Sequence, residues 1–255
     1  MVALLSLGLA GVLALTAYAD PLAVAAAVAV VQLVWASVVF QGPVVPAPRT
    51  AWFVVALGGI AATVITAWPD LLSGFDGSAA GESVRQSSGT LMGVAPGAAI
   101  VVLGAMLREM FRRGRRTGLT ASVALTVTVG VCGAVLAAWV AAAKTDDGDQ
   151  IVLIAACAVV GTVVVWSLPG PRFLIAPLAV LAGTGAAVAV RLVVADPVEL
   201  SIGVGLGAVG ALLAACGRGI AANLVPDPAR RLAVDAVLPL VLVGPIAFWT
   251  GQLFT

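Results

Sequence analysis

The chain has 255 residues, 62% of them hydrophobic and 10% charged, with a formal net charge of +1 and no histidine. A soluble domain carries roughly 25% charged residues, so this composition, with a mean hydropathy of +1.15, excludes a water-soluble globule. The missing histidine excludes His-ligated haem, histidine-zinc sites and Ser-His-Asp catalysis.

A hydrocarbon core about 30 Å thick takes about 20 apolar helical residues to cross, and backbone groups in lipid have to be satisfied within the helix. Stretches of about that length run at 2–19, 22–41, 51–68, 90–111, 118–143, 151–168, 173–195, 199–224 and 232–253. The expected fold is therefore all-α: a polytopic integral membrane protein with about nine transmembrane helices, forming a single domain over 1–255. Ala17, Tyr18 and Ala19 close the first stretch in the manner of a signal-cleavage site. No positive charge precedes it, and a retained helix is the favoured reading. Gln32 stands near the middle of the second stretch, where it can hydrogen-bond across helices.

An outer loop over about 69–89 follows the third stretch and carries Asp70, Asp76, Glu82 and Arg85, with a short helix expected over 81–88. Paired acids can serve as acid and base, but solvated loops contain them too, and no enzyme activity is expected. The fourth stretch runs into a basic inner loop over about 112–117 with Arg112, Arg113, Arg115 and Arg116. Glu109 reads as an exposed helix-end partner of Arg112 and Arg113. Cys132, Cys157 and Cys216 lie in apolar stretches without metal or redox spacing. Pro96, Pro177, Pro239 and Pro245 are expected to kink their helices. Gly203 and Gly207 have the spacing that lets helices approach closely. Gly205, Gly207 and Gly210 spell a dinucleotide-like string, but inside an apolar span and without the strand that fingerprint needs.

Orientation follows from arginine, because short cytoplasmic loops are enriched in it. With the basic loop after the fourth stretch inside, Arg108 at its start and Arg49, Arg172, Arg218, Arg230 and Arg231 also fall inside, while Arg85, Lys144 and Arg191 lie at or near the outside. Most acids, including Asp20, Asp147 and Asp196, sort outward. Nine spans then put the N-terminus inside and the C-terminus outside. An acidic outer turn and a Pro-x-Pro inner turn with arginine recur at 20 and 46–49, at 146–149 and 169–172, and at 196 and 226–230. Repeated helical hairpins are one reading of this. Ordinary turn chemistry is the other, since proline stops a helix.

An ionisable or strongly polar group inside a span is a functional candidate by default. Arg191, Gln32 and Asp235 are the candidate substrate contacts, although Arg191 also fits a snorkelling side chain and Asp235 a surface ion pair with Arg231. Arg112, Arg113, Arg115 and Arg116 are candidates for contact with anionic lipid. The functional expectation is transport or lipid or amphiphile translocation, permease- or flippase-like and without ATPase activity. The alternative is a non-catalytic subunit or scaffold of a multi-protein envelope or secretion complex. Membrane lipids are the expected partners, with other membrane subunits or further copies of the chain; no cofactor, metal or nucleic acid is expected. Twelve arginines against one lysine suggest a GC-rich bacterial genome, and hence a multi-pass protein of the cell (inner or plasma) membrane.

Overall fold

A computed structural model describes residues 2–40, 48–71, 89–111, 119–194, 199–224 and 228–254. Among these residues the chain is helical, with no strand. The helices are α1 (Val2–Ala19), α2 (Pro21–Val39), α3 (Pro48–Ala67), α4 (Val94–Phe111, preceded by a 3-10 turn, Gly89–Gly93), α5 (Leu119–Val135), α6 (Ala138–Ala143), α7 (Gly148–Trp166), α8 (Arg172–Val193), α9 (Leu200–Leu224) and α10 (Pro228–Phe254). Eight segments are long and apolar enough to cross a membrane, one of them Leu119–Ala143 with its break inside. The described apolar stretch of α1, Leu4–Ala19, is shorter.

Proline and small polar residues set the helix ends. Asp20 accepts the Leu22 N–H on Oδ1 at 2.8 Å, a side-chain cap with Pro21 in the first helical position, where a missing N–H costs nothing. Pro48 and Pro228 open α3 and α10 in the same way. Pro96 falls in the first turn of α4, so the kink expected there does not arise. Pro177, Pro239 and Pro245 do lie inside their helices. The 118–143 stretch, expected to be one helix, breaks at Leu136 and Ala137. Ala137 N–H, which would reach Gly133 O in an unbroken helix, bonds Ala134 O at 3.0 Å instead.

The chain folds as two compact units, Val28–Ala141 and the pair Met1–Ala27 with Ala142–Thr255. In the first, α3 packs on α4 and α5, and α4 on α5. Gly58 and Gly97 make the α3/α4 crossing close, because a Cβ on Gly97 would stand 2.7 Å from Gly58 O. In the second, α7 packs against α1, α8, α9 and α10, and its buried residues, among them Ile151, Val152, Ile154 and Val159, run round the helix. An apolar helix enclosed this way is a core helix. By contrast α8 buries only Ala179, Gly183 and Ala187, one small-residue stripe four residues apart. Leu174, Leu178, Leu181 and Leu192 on the same helix are more than half exposed. A surface this apolar is far beyond what a soluble monomer leaves in water; lipid is the solvent that fits it.

Candidate functional site

Among the described residues, the densest buried polar cluster lies where the start of α3, the end of α4 and the start of α5 meet. Arg108 and Glu109 are neighbours in sequence, with side chains 6% and 4% exposed and Nη1 3.1 Å from Oε1. Arg108 also donates through Nε to Thr50 Oγ1 at 3.0 Å, and through Nη1 to Ser122 Oγ at 3.2 Å and Thr126 Oγ1 at 3.3 Å. Ser122 donates to Glu109 Oε1 at 2.7 Å. Two charges withdrawn from water need such additional hydrogen bonds to offset their desolvation. The exposed helix-end position expected for Glu109 is therefore corrected: its carboxylate is buried against Arg108 and Ser122. Arg112 and Arg113 lie outside the described residues.

Beside this cluster a groove of about 540 Å³ runs between α4 and α5. Met106, Met110, Leu119, Val123, Ala124 and Val127 form its apolar wall, while Glu109 and Thr120 supply its polar lining. Methionine is unbranched and polarisable, so such walls adapt to ligands of varied shape. An apolar trough with a polar margin suits an acyl or alkyl chain that ends in a polar group.

Gln32 is 1% exposed. It donates through Nε2 to Gly133 O at 2.9 Å and accepts the Thr63 hydroxyl on Oε1 at 3.0 Å. The carbonyl it reaches is the one the α5/α6 break leaves without its usual donor. Asp235 is 5% exposed and meets Arg218 of α9, Oδ2 to Nη1, at 3.2 Å. This corrects the surface position expected for it; the Arg231 side chain lies outside the described residues. The same Arg218 Nη1 is 3.3 Å from Asp235 O. Arg191, half-buried at the end of α8, lays its aliphatic stem over Gly203 of α9.

The three candidate substrate contacts have separate partners. Gln32 is held within the first unit. Arg191 and Asp235 belong to the second, and their anchors on α9, Gly203 and Arg218, are about 22 Å apart at 1.5 Å rise per residue. Arg112, Arg113, Arg115 and Arg116 lie outside the described residues, as do Asp196 and the short helix expected over 81–88. Among the described residues, no three His, Cys, Asp or Glu side chains are grouped as a metal would require.

Reading the sequence alone missed Arg108 and Arg218 as site residues. A signal was present for each. Arg218 stands eight residues before Pro226 and Asp235 eight after Asp227, while Arg108 and Ser122 are each seven residues from Arg115. In a helical hairpin, residues equidistant from the turn come face to face. No family model, curated protein or solved structure matches the chain.

Proposed function

We propose that this is a multi-pass membrane protein of nine spans, N-terminus inside, that moves or helps to move an amphiphilic molecule. The groove between α4 and α5 is its site. The observation that carries this reading is the pairing of a Met-lined trough with a buried Arg108 and Glu109 pair at its edge. An intramembrane ion pair is costly to insert, and here one of its members lines an apolar groove of about 540 Å³. The groove helices lead directly into a segment whose sequence holds Arg112, Arg113, Arg115 and Arg116, a charge that attracts anionic head groups. Arg191 is the corresponding candidate near the outer leaflet.

Vesicles containing the purified protein and a trace of fluorescent lipid or alkyl-chain probe test the reading, with probe exchange between leaflets followed by an impermeant quencher. Wild-type protein should accelerate exchange. Ala124→Trp fills the groove from an exposed position and should return the rate to that of protein-free vesicles, whereas Leu181→Trp on the exposed face of α8 should not. Equal rates for Ala124→Trp and wild type would refute the groove as the site.

A second reading is favoured by Gln32, whose two polar atoms are bonded to neighbouring helices, and by Arg218, whose Nη1 is held by Asp235 of α10. A protein whose intramembrane polar groups mainly fasten helices together fits a scaffold subunit of a larger membrane assembly. That reading expects no probe movement by the wild type and co-purification of the chain with other membrane proteins.

A further inference from the structure

A second recess, of about 430 Å³, lies between the end of α2 and the start of α3, lined by Ser37, Phe40, Pro48, Arg49 and Trp52. Its side-chain polar groups are donors with little to donate to. Arg49 is exposed and makes no ion pair or hydrogen bond among the described residues. Trp52 donates its indole N–H to Ser37 Oγ at 2.9 Å. This fixes the ring against α2 and leaves the Ser37 hydroxyl proton without an acceptor among the described residues. A permanent cation, a hydroxyl proton and no carboxylate make a site that selects an anion.

The walls narrow the choice of anion. Phe40 is 5% exposed and Trp52 half-buried, and such rings offer a small soluble anion nothing. They do suit the glycerol and upper acyl region of a phospholipid, and tryptophan favours that depth of the membrane. The guanidinium fork of arginine matches a phosphate through two contacts. We infer that this recess binds an anionic phospholipid, with Arg49 and Ser37 on the phosphate and Phe40 and Trp52 against the region below it. The inference is independent of the α4/α5 groove and of any transport activity.

The test uses the full chain in nanodiscs of mixed phosphatidylglycerol and phosphatidylcholine, with lipid retained after delipidation counted by native mass spectrometry. Wild-type protein should retain phosphatidylglycerol over phosphatidylcholine by about fivefold relative to the bulk, the scale of one arginine at a membrane surface. Arg49→Gln should bring that ratio close to the bulk value and Ser37→Ala should lower it, while Arg172→Gln, an exposed arginine at the head of α8, should leave it unchanged. Should Arg49→Gln fail to fold, Arg49→Lys takes its place, with an intermediate ratio expected. A wild-type ratio in Arg49→Gln, or an equal loss in Arg172→Gln, overturns the site. Displacement of the retained lipid by millimolar inorganic phosphate would mark a soluble-anion site and overturn the assignment to lipid.

Discussion

Arg218 grips Asp235 twice, by the carboxylate at 3.2 Å and by the main-chain carbonyl at 3.3 Å. The second contact has its origin four residues further on. In a regular helix the Asp235 carbonyl would accept the N–H of residue 239, but residue 239 is proline and has none. Gly217 lets α9 approach this point, since a Cβ there would stand 3.1 Å from Pro239 N. The proline inside α10, the small residue on α9 and the arginine beside it therefore form one device.

This device predicts a coupling between residues that do not share a charge. Removing one partner of a buried ion pair costs about 3–5 kcal/mol, so Arg218→Ala should lower the unfolding midpoint in detergent strongly. Pro239→Ala returns an N–H to the Asp235 carbonyl. In that background the cost of Arg218→Ala should shrink by about 1.5–3 kcal/mol, the worth of a hydrogen bond involving a charged group. Strict additivity in the double-mutant cycle would show that Arg218 serves the carboxylate alone. Replacing both charges, Arg218→Met with Asp235→Leu, should recover much of the loss from Arg218→Ala.

Gln32 performs the same task at the α5/α6 break, with a neutral side chain. Gln32→Leu keeps the approximate volume but abandons Gly133 O and the Thr63 hydroxyl, and should cost about 0.6–2 kcal/mol, the range for hydrogen bonds between helices in membranes. Gln32→Glu should cost at least as much, because an ionised carboxylate has no proton for Gly133 O. Unchanged thermal stability in both variants would remove Gln32 from the fold and return it to the ligand candidates.

Much of the fold was legible because the solvent dictates it. Apolar runs of about 20 residues separated by charge leave the helix as the natural solution in lipid, and the helices lie close to where hydropathy put them. The break after Val135 was not legible: Ala, Val and Leu continue through it, and the residue that stabilises it, Gln32, lies about a hundred positions away. The site was harder still. Asp235 and Gln32 stood out as polar groups in apolar runs, but their partners come from other helices, and sequence spacing along one helix offered only local pairs, Arg231 with Asp235 and Arg112 and Arg113 with Glu109. Arg108 and Arg218 were read as markers of a cytoplasmic loop because arginine near a helix end has that everyday explanation. Only packing reveals that their side chains turn inward.

Two glycines on α9 separate packing from composition. Gly207 faces α8 so closely that a Cβ would stand 2.6 Å from Ala187 Cβ, while a Cβ on Gly205 meets nothing within 4 Å. Gly205→Ala should be neutral or mildly stabilising, since alanine is up to about 1 kcal/mol better in a helix. Gly207→Ala should destabilise by about 1–3 kcal/mol through overpacking. Midpoints of thermal unfolding for the two single variants decide it, and equal effects would mean that the close α8/α9 approach does not govern stability.

Orientation is open to a direct experiment around α7. Asp146 is exposed before its N-terminus and Gly170 is exposed after its C-terminus, so cysteines at these positions report the two ends of one apolar helix. In a background with Cys132, Cys157 and Cys216 replaced, Asp146→Cys should react with an impermeant maleimide in intact cells. Gly170→Cys should react only after the membrane is opened, and Gly114→Cys in the basic segment should behave like Gly170→Cys. The physical reason is that short arginine-rich loops are retained on the cytoplasmic side, and Arg172 lies beside Gly170 as Arg113 and Arg115 flank Gly114. Reaction of Gly114→Cys in intact cells would reverse the whole topology. Equal access at Asp146 and Gly170 would mean that α7 does not cross the membrane, and the nine-span arrangement would fall with it.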